Sequence, residues 1–127
     1  VFKEKRMNCR GIRGAISVDA NDAPAITAAT RELLEQIVTA NDLQIEHIAS
    51  VTFTATPDLN AAYPARAARD MGWANLPLLC MQEMAVEGSL PRCIRVLVLY
   101  NTDEPAHHIR HVYLGQARTL RPDLMEE

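Results

Sequence analysis

Apolar and polar positions along the chain predict seven regular elements. From Asn8 to Val18, Ile12 and Ile16 fall on one face of an extended strand and Arg13 on the other. Asn21, Asp22 and Pro24 then mark a helix start, and Ile26, Leu33, Leu34, Ile37 and Val38 form one stripe at helical spacing that ends near Asn41. A second strand covers about Ile48 to Thr56, where Val51, Phe53 and Ala55 alternate with Thr52 and Thr54. Thr56-Pro57-Asp58 ends it, and a short helix follows from about Pro64 to Met71 with Gly72 as its terminator. Leu76 to Met81 reads as a short strand interrupted by Pro77. After a turn at Glu87 to Pro91, Cys93 to Tyr100 is the longest strand. Asn101 to Pro105 is a loop, His107 to His111 one helical turn, and Val112 to Ala117 a last strand. A tail begins at Arg121-Pro122-Asp123.

The order β-α-β-α-β-β-β predicts an α+β domain: a mixed sheet with helices packed on one face. The last strands are apolar on both faces, yet only two helices are available as cover. The other face is therefore predicted to be buried against copies of the chain. The 127 residues suit one compact domain over about 7–127, with residues 1–6 as an N-terminal extension ahead of Met7.

Composition narrows the function. A net charge of -3 argues against nucleic-acid binding, which favours a clustered basic excess. No apolar run approaches the roughly 20 residues that span a bilayer, and no signal-peptide pattern opens the chain. A cytoplasmic protein without a membrane partner is expected. Cys9, Cys80 and Cys93 have neither disulfide pairing nor zinc-ligand spacing, so three free thiols are predicted. Eleven of the thirteen basic residues are arginine, the type suited to bidentate recognition of carboxylate or phosphate, although coding bias gives the same count.

Position matters more than number. In Ile94-Arg95-Val96-Leu97-Val98-Leu99-Tyr100, one arginine shares a strand face with Leu97 and Leu99. The strand reads as buried, and a guanidinium cannot shed its proton there, so an anionic partner is expected. Arg13 repeats the pattern on the first strand. The two arginines predict an anion pocket, although a structural carboxylate would satisfy Arg95 and a surface salt bridge Arg13. Arg66 and Arg69 lie three apart and share a helix face, an arrangement that a merely solvated surface also produces.

Five segments in order, Arg10-Gly11-Ile12-Arg13-Gly14-Ala15, Thr54-Ala55-Thr56-Pro57-Asp58-Leu59, Cys80-Met81-Gln82-Glu83-Met84, Cys93-Ile94-Arg95-Val96 and Arg110-His111-Val112-Tyr113-Leu114, together resemble the AroH-class bacterial monofunctional chorismate mutases. The resemblance runs from about Arg10 to Leu124. It implies a homotrimer with a pseudo-α/β-barrel core, active sites at subunit interfaces, and cofactor-free, metal-free rearrangement of chorismate to prephenate in phenylalanine and tyrosine biosynthesis.

The same resemblance assigns roles. It makes Arg95 the cation that faces the ether oxygen, Arg13 a carboxylate binder, and Glu83 the acceptor of a substrate hydroxyl. Cys80 falls near that hydroxyl and Tyr113 near the substrate side chain, whereas alone they would read as a core thiol and a packed tyrosine. Tyr63, Arg66 and Arg69 fall on a mouth-lining helix, and Arg121 on a tail that closes over ligand. The chain departs from the commoner family pattern with Tyr63 for phenylalanine, Arg66 for lysine and Leu79 for threonine. His47, His107, His108 and His111 have no metal spacing with a carboxylate and read as structural or exposed. Two other classes remain open at this point. One is a trimeric enamine/imine deaminase-like enzyme, whose sequence patterns are not those seen here, and the other is a non-catalytic sensor of a carboxylated metabolite.

Overall fold

The computed structural model describes residues 6–120. Five strands form one mixed sheet: β1 (Asn8–Ser17), β2 (Ile48–Ala55), β3 (Leu78–Gln82), β4 (Cys93–Thr102) and β5 (Val112–Leu114), in the order β3-β2-β4-β1-β5. The central strand β4 pairs antiparallel with β1 and β2, while β5 runs parallel to β1 and β3 parallel to β2. Two α-helices, α1 (Ala23–Asn41) and α2 (Ala65–Asp70), complete the α+β architecture that the sequence predicts.

Helix α1 starts where its sequence says it should. The Asp22 side chain accepts the Ala25 N–H at 2.8 Å, and Pro24 occupies the first turn, where no N–H is needed. Its buried residues Ile26, Leu33, Leu34 and Ile37 join Ile12, Ile16, Val51, Phe53, Ile94, Val96 and Val98 in one core cluster. Each fully buried aliphatic side chain of this kind stabilises the fold by about 1.5–3 kcal/mol. Gly14 lets helix and sheet meet closely: a Cβ there would lie 2.7 Å from Ile37 Cδ1 and 3.1 Å from both Leu33 Cδ1 and Val96 Cγ1.

Among the described residues no α-helix covers the opposite sheet face; the 3-10 segment Gly115–Thr119 covers only its β5 end, where Ala15, Cys93, Tyr113 and Ala117 form a second, small buried cluster. By strand alternation this face carries Arg13 and Ala15 of β1, Thr52 and Thr54 of β2, Leu79 and Met81 of β3, and Arg95, Leu97 and Leu99 of β4. This corrects the expectation that Arg95 lies inside a buried strand. In the single chain its side chain is 43% exposed, while its Nε is sealed from solvent and has no hydrogen-bond partner. Burial of the strand comes chiefly from its other face, where Ile94, Val96 and Val98 meet the core, with Cys93 buried at the start of the Arg95 face.

Strand boundaries also differ from expectation, and β4 runs on to Thr102 through the first two residues of the loop expected at Asn101 to Pro105. β3 starts at Leu78 because Pro77 has no N–H for the ladder, although its carbonyl still accepts from Val51 N at 2.9 Å. The last strand stops at Leu114 instead of Ala117. Gly115, at φ 60, turns the chain into a 3-10 segment over Gly115–Thr119. The predicted helical turn near His107 is a 3-10 turn at Ala106–His108.

Candidate active site

Strand register assembles one side of the site. Tyr113 pairs with Ala15, Ala15 with Arg95, Arg95 with Thr54, and Thr54 with Met81, so these residues form a row across all five strands. Arg13 stands in the next row on the same face, opposite Leu97. Glu83 follows β3 directly, and its N–H donates to the Ala55 carbonyl at 2.9 Å, which fixes its backbone beside β2. Arg13, Glu83, Arg95 and Tyr113 all line one cavity of about 540 Å³, with Thr52, Thr54, Met81, Leu97 and Leu120 among its other walls.

Glu83 is the hinge of the local electrostatics. Its Oε2 accepts the Thr54 hydroxyl at 2.7 Å and lies 3.5 Å from Arg95 Nε, while Oε1 accepts the Met84 N–H at 3.1 Å. The Thr54 hydroxyl is the largest influence holding the Glu83 carboxyl below the usual carboxylate range, burial opposes it, and Met84 N–H and Arg95 assist. The result is a carboxylate beside a cation that is incompletely paired. Such a surface can hold an anion and can accept a hydrogen bond from a hydroxyl.

The remaining described site residues occupy a second cavity, of about 830 Å³, on the other side of β3. Tyr63, Arg66, Arg69 and Cys80 line it, and Met81 borders both cavities. Helix α2 turns its small residues Ala65, Ala67 and Ala68 inward, which leaves Arg66 and Arg69 on its exposed side. Burial raises the Cys80 thiol above its usual range, so it stays protonated at neutral pH. Tyr63 is 72% exposed. Leu79 lies on the uncovered sheet face at 58% exposure and lines neither cavity. Arg121 lies outside the described residues.

A tie holds the two walls in register. The Thr56 hydroxyl accepts from Cys93 N at 3.0 Å and donates to Asp58, and the Asp58 carboxylate accepts from Arg92 N. The loop leading to Tyr63 is thus tied to the start of β4, two residues from Arg95. Sequence reading missed Thr54, Thr52 and Leu97 as site residues. Alternation placed Thr52 and Thr54 on the polar side of their strand and Leu97 on the face of Arg95, but only register shows Thr54 directly opposite Arg95. Among the described residues, no group of three His, Cys, Asp or Glu side chains could hold a metal ion, and no helix is long and apolar enough to cross a membrane. His111 accepts the Arg13 N–H at its Nδ1, at 2.9 Å, and so joins β1 to the residue before β5.

This geometry has counterparts among known proteins. The sequence profile of the family described as chorismate mutase type I matches residues 9–124. Chorismate mutase AroH of Thermus thermophilus is 55% identical over 116 residues, covering 91% of this chain and 95% of that protein. Chorismate mutase AroH of Bacillus subtilis (strain 168) is 46% identical over 119 residues, covering 93% and 94% respectively. A solved structure of a chorismate mutase from Clostridium thermocellum superimposes with a TM-score of 0.85 at 48% identity, covering 86% of this chain and 97% of that one. With a profile match over nearly the whole length, relatives of this identity and a shared fold, the chain belongs to the type I chorismate mutase family.

Proposed function

We propose that the protein rearranges chorismate to prephenate without a cofactor, as a cytoplasmic homotrimer whose active sites lie between subunits. The reaction breaks an ether C–O bond as a C–C bond forms within one molecule, so it needs neither a nucleophile nor a proton transfer. A protein accelerates it by holding the substrate in the compact shape in which the two carbons meet, and by stabilising negative charge that grows on the ether oxygen. Arg95 is the proposed stabilising cation, Glu83 the acceptor of the substrate hydroxyl, Arg13 a carboxylate contact and Tyr113 a contact to the side chain.

The observation that carries this reading is the convergence of Arg13, Glu83, Arg95 and Tyr113 on one cavity. Tyr63, Arg66, Arg69 and Cys80 line a different cavity of the same chain, which supports a site completed by a neighbouring copy. The exposed apolar residues Leu79, Met81 and Leu97 on the uncovered sheet face support burial of that face in an assembly. The proposed catalytic unit is a single domain over residues 7–127.

Incubation of purified protein with chorismate tests the reading. Stoichiometric appearance of prephenate, unaffected by a chelator, is the expected result. Binding of chorismate without turnover would instead favour a metabolite sensor, and would overturn the proposal.

A further inference from the structure

We infer that Thr54 is a positioning residue that holds Glu83 off Arg95 and so keeps the Arg95 guanidinium available to substrate. The inference rests on the chorismate mutase reading of this site. Thr54 stands directly opposite Arg95 in the β2–β4 ladder and beside Met81 in the β2–β3 ladder, so its hydroxyl lies between the strand that carries the cation and the end of the strand that carries the carboxylate. That hydroxyl donates to Glu83 Oε2 at 2.7 Å. The same oxygen is 3.5 Å from Arg95 Nε, well beyond the roughly 2.7–2.9 Å of a charge-assisted N–H···O bond. Nε is sealed from water and makes no hydrogen bond.

A carboxylate and a guanidinium this close would otherwise close into a direct, bidentate pair. Here three contacts oppose that closure. Glu83 N–H is fixed to the Ala55 carbonyl, Oε1 accepts from Met84 N–H, and Oε2 is engaged by Thr54. Of these, only the Thr54 contact comes from a side chain, and it acts on the oxygen nearest Arg95. A collapsed Glu83–Arg95 pair would spend the fork of the cation on the protein itself, and the transition state would have to compete for it.

Steady-state kinetics of Thr54→Val and Thr54→Ser test this. Valine keeps the β-branched shape on the half-buried strand and removes the donor, whereas serine keeps the donor. Thr54→Val is expected to lose about tenfold or more in kcat, with a smaller change in KM, and Thr54→Ser to remain within about threefold of the native protein. Thr54→Ala replaces the valine variant if circular dichroism shows the latter misfolded. Donor-lacking variants with native kcat, or a serine variant as impaired as valine, would overturn the inference. Failure of the native protein to form prephenate would overturn the functional reading instead, so the two failures are distinguishable.

Discussion

Arg13 and Arg95 are diagonal neighbours on one sheet face, with Arg13 opposite Leu97 and Arg95 opposite Ala15 in the β1–β4 ladder. Both line the same cavity of one chain. Co-expressed Arg13→Ala and Arg95→Ala subunits are therefore predicted not to rescue each other, because every site they form lacks one of the two cations. Arg69 lies in the other cavity. If neighbouring copies complete each site, co-expressed Arg69→Ala and Arg95→Ala subunits should regain activity in about one site in four by random mixing. Activity of the purified mixed oligomer measures this, and sedimentation should report a trimer. Rescue by the Arg13 pair, or none by the Arg69 pair, would contradict the interface model.

The pH dependence has a definite sign. The Glu83 carboxyl is held low, chiefly by the Thr54 hydroxyl. A folded-state value below the unfolded one means that its stabilising contribution is complete above the unfolded value of about 4.3 and is lost as pH falls through the lower folded value. We predict kcat flat from about pH 6 to 9 without a solvent deuterium effect, because no group must give or take a proton. Thermal stability should lose the Glu83 contribution only below about pH 5, and Glu83→Gln should be less pH-sensitive there. An inflection in kcat near 6.5 that disappears in one His→Gln variant would contradict this account. His111, bonded to the Arg13 backbone, is the first histidine to test.

Helix α1 packs on β1 through a position with no room for a methyl group. Gly14→Ala would drive a Cβ toward Ile37 Cδ1 at 2.7 Å, with Leu33 and Val96 at 3.1 Å. Overpacking of this kind costs about 1–3 kcal/mol. A lowered thermal midpoint in calorimetry is the expected outcome, and an unchanged midpoint would show that the helix shifts freely over the sheet.

Much of this was legible in the sequence, and the gaps have a common cause. The stripe Ile26, Leu33, Leu34 and Ile37, with Asp22 and Pro24 ahead of it, identified α1 because period and capping are local properties. Arg13 and Arg95 were legible as polar residues on apolar strands. What alternation cannot say is which face of a sheet is covered, and so Arg95 was expected to be more buried than it is in one chain. Nor can it say which residues meet across strands. The Thr54 contact to Glu83 joins residues 29 apart, and depends on the register of β2 against β3 and β4. The early stop of β5 follows from the positive φ of Gly115, a local feature present in the sequence but not decisive among so many possible glycine roles.

The role of Arg95 is the center of the account, and steady-state kinetics of Arg95→Ala with chorismate test it most directly. Loss of a fixed cation at the ether oxygen should lower kcat by more than it raises KM, with a cost of about 3 kcal/mol or more in transition-state stabilisation. Arg95→Lys, which keeps charge and loses the planar fork, should remain badly impaired. A folded Arg95→Ala protein that turns over chorismate at a near-native kcat would contradict the assignment.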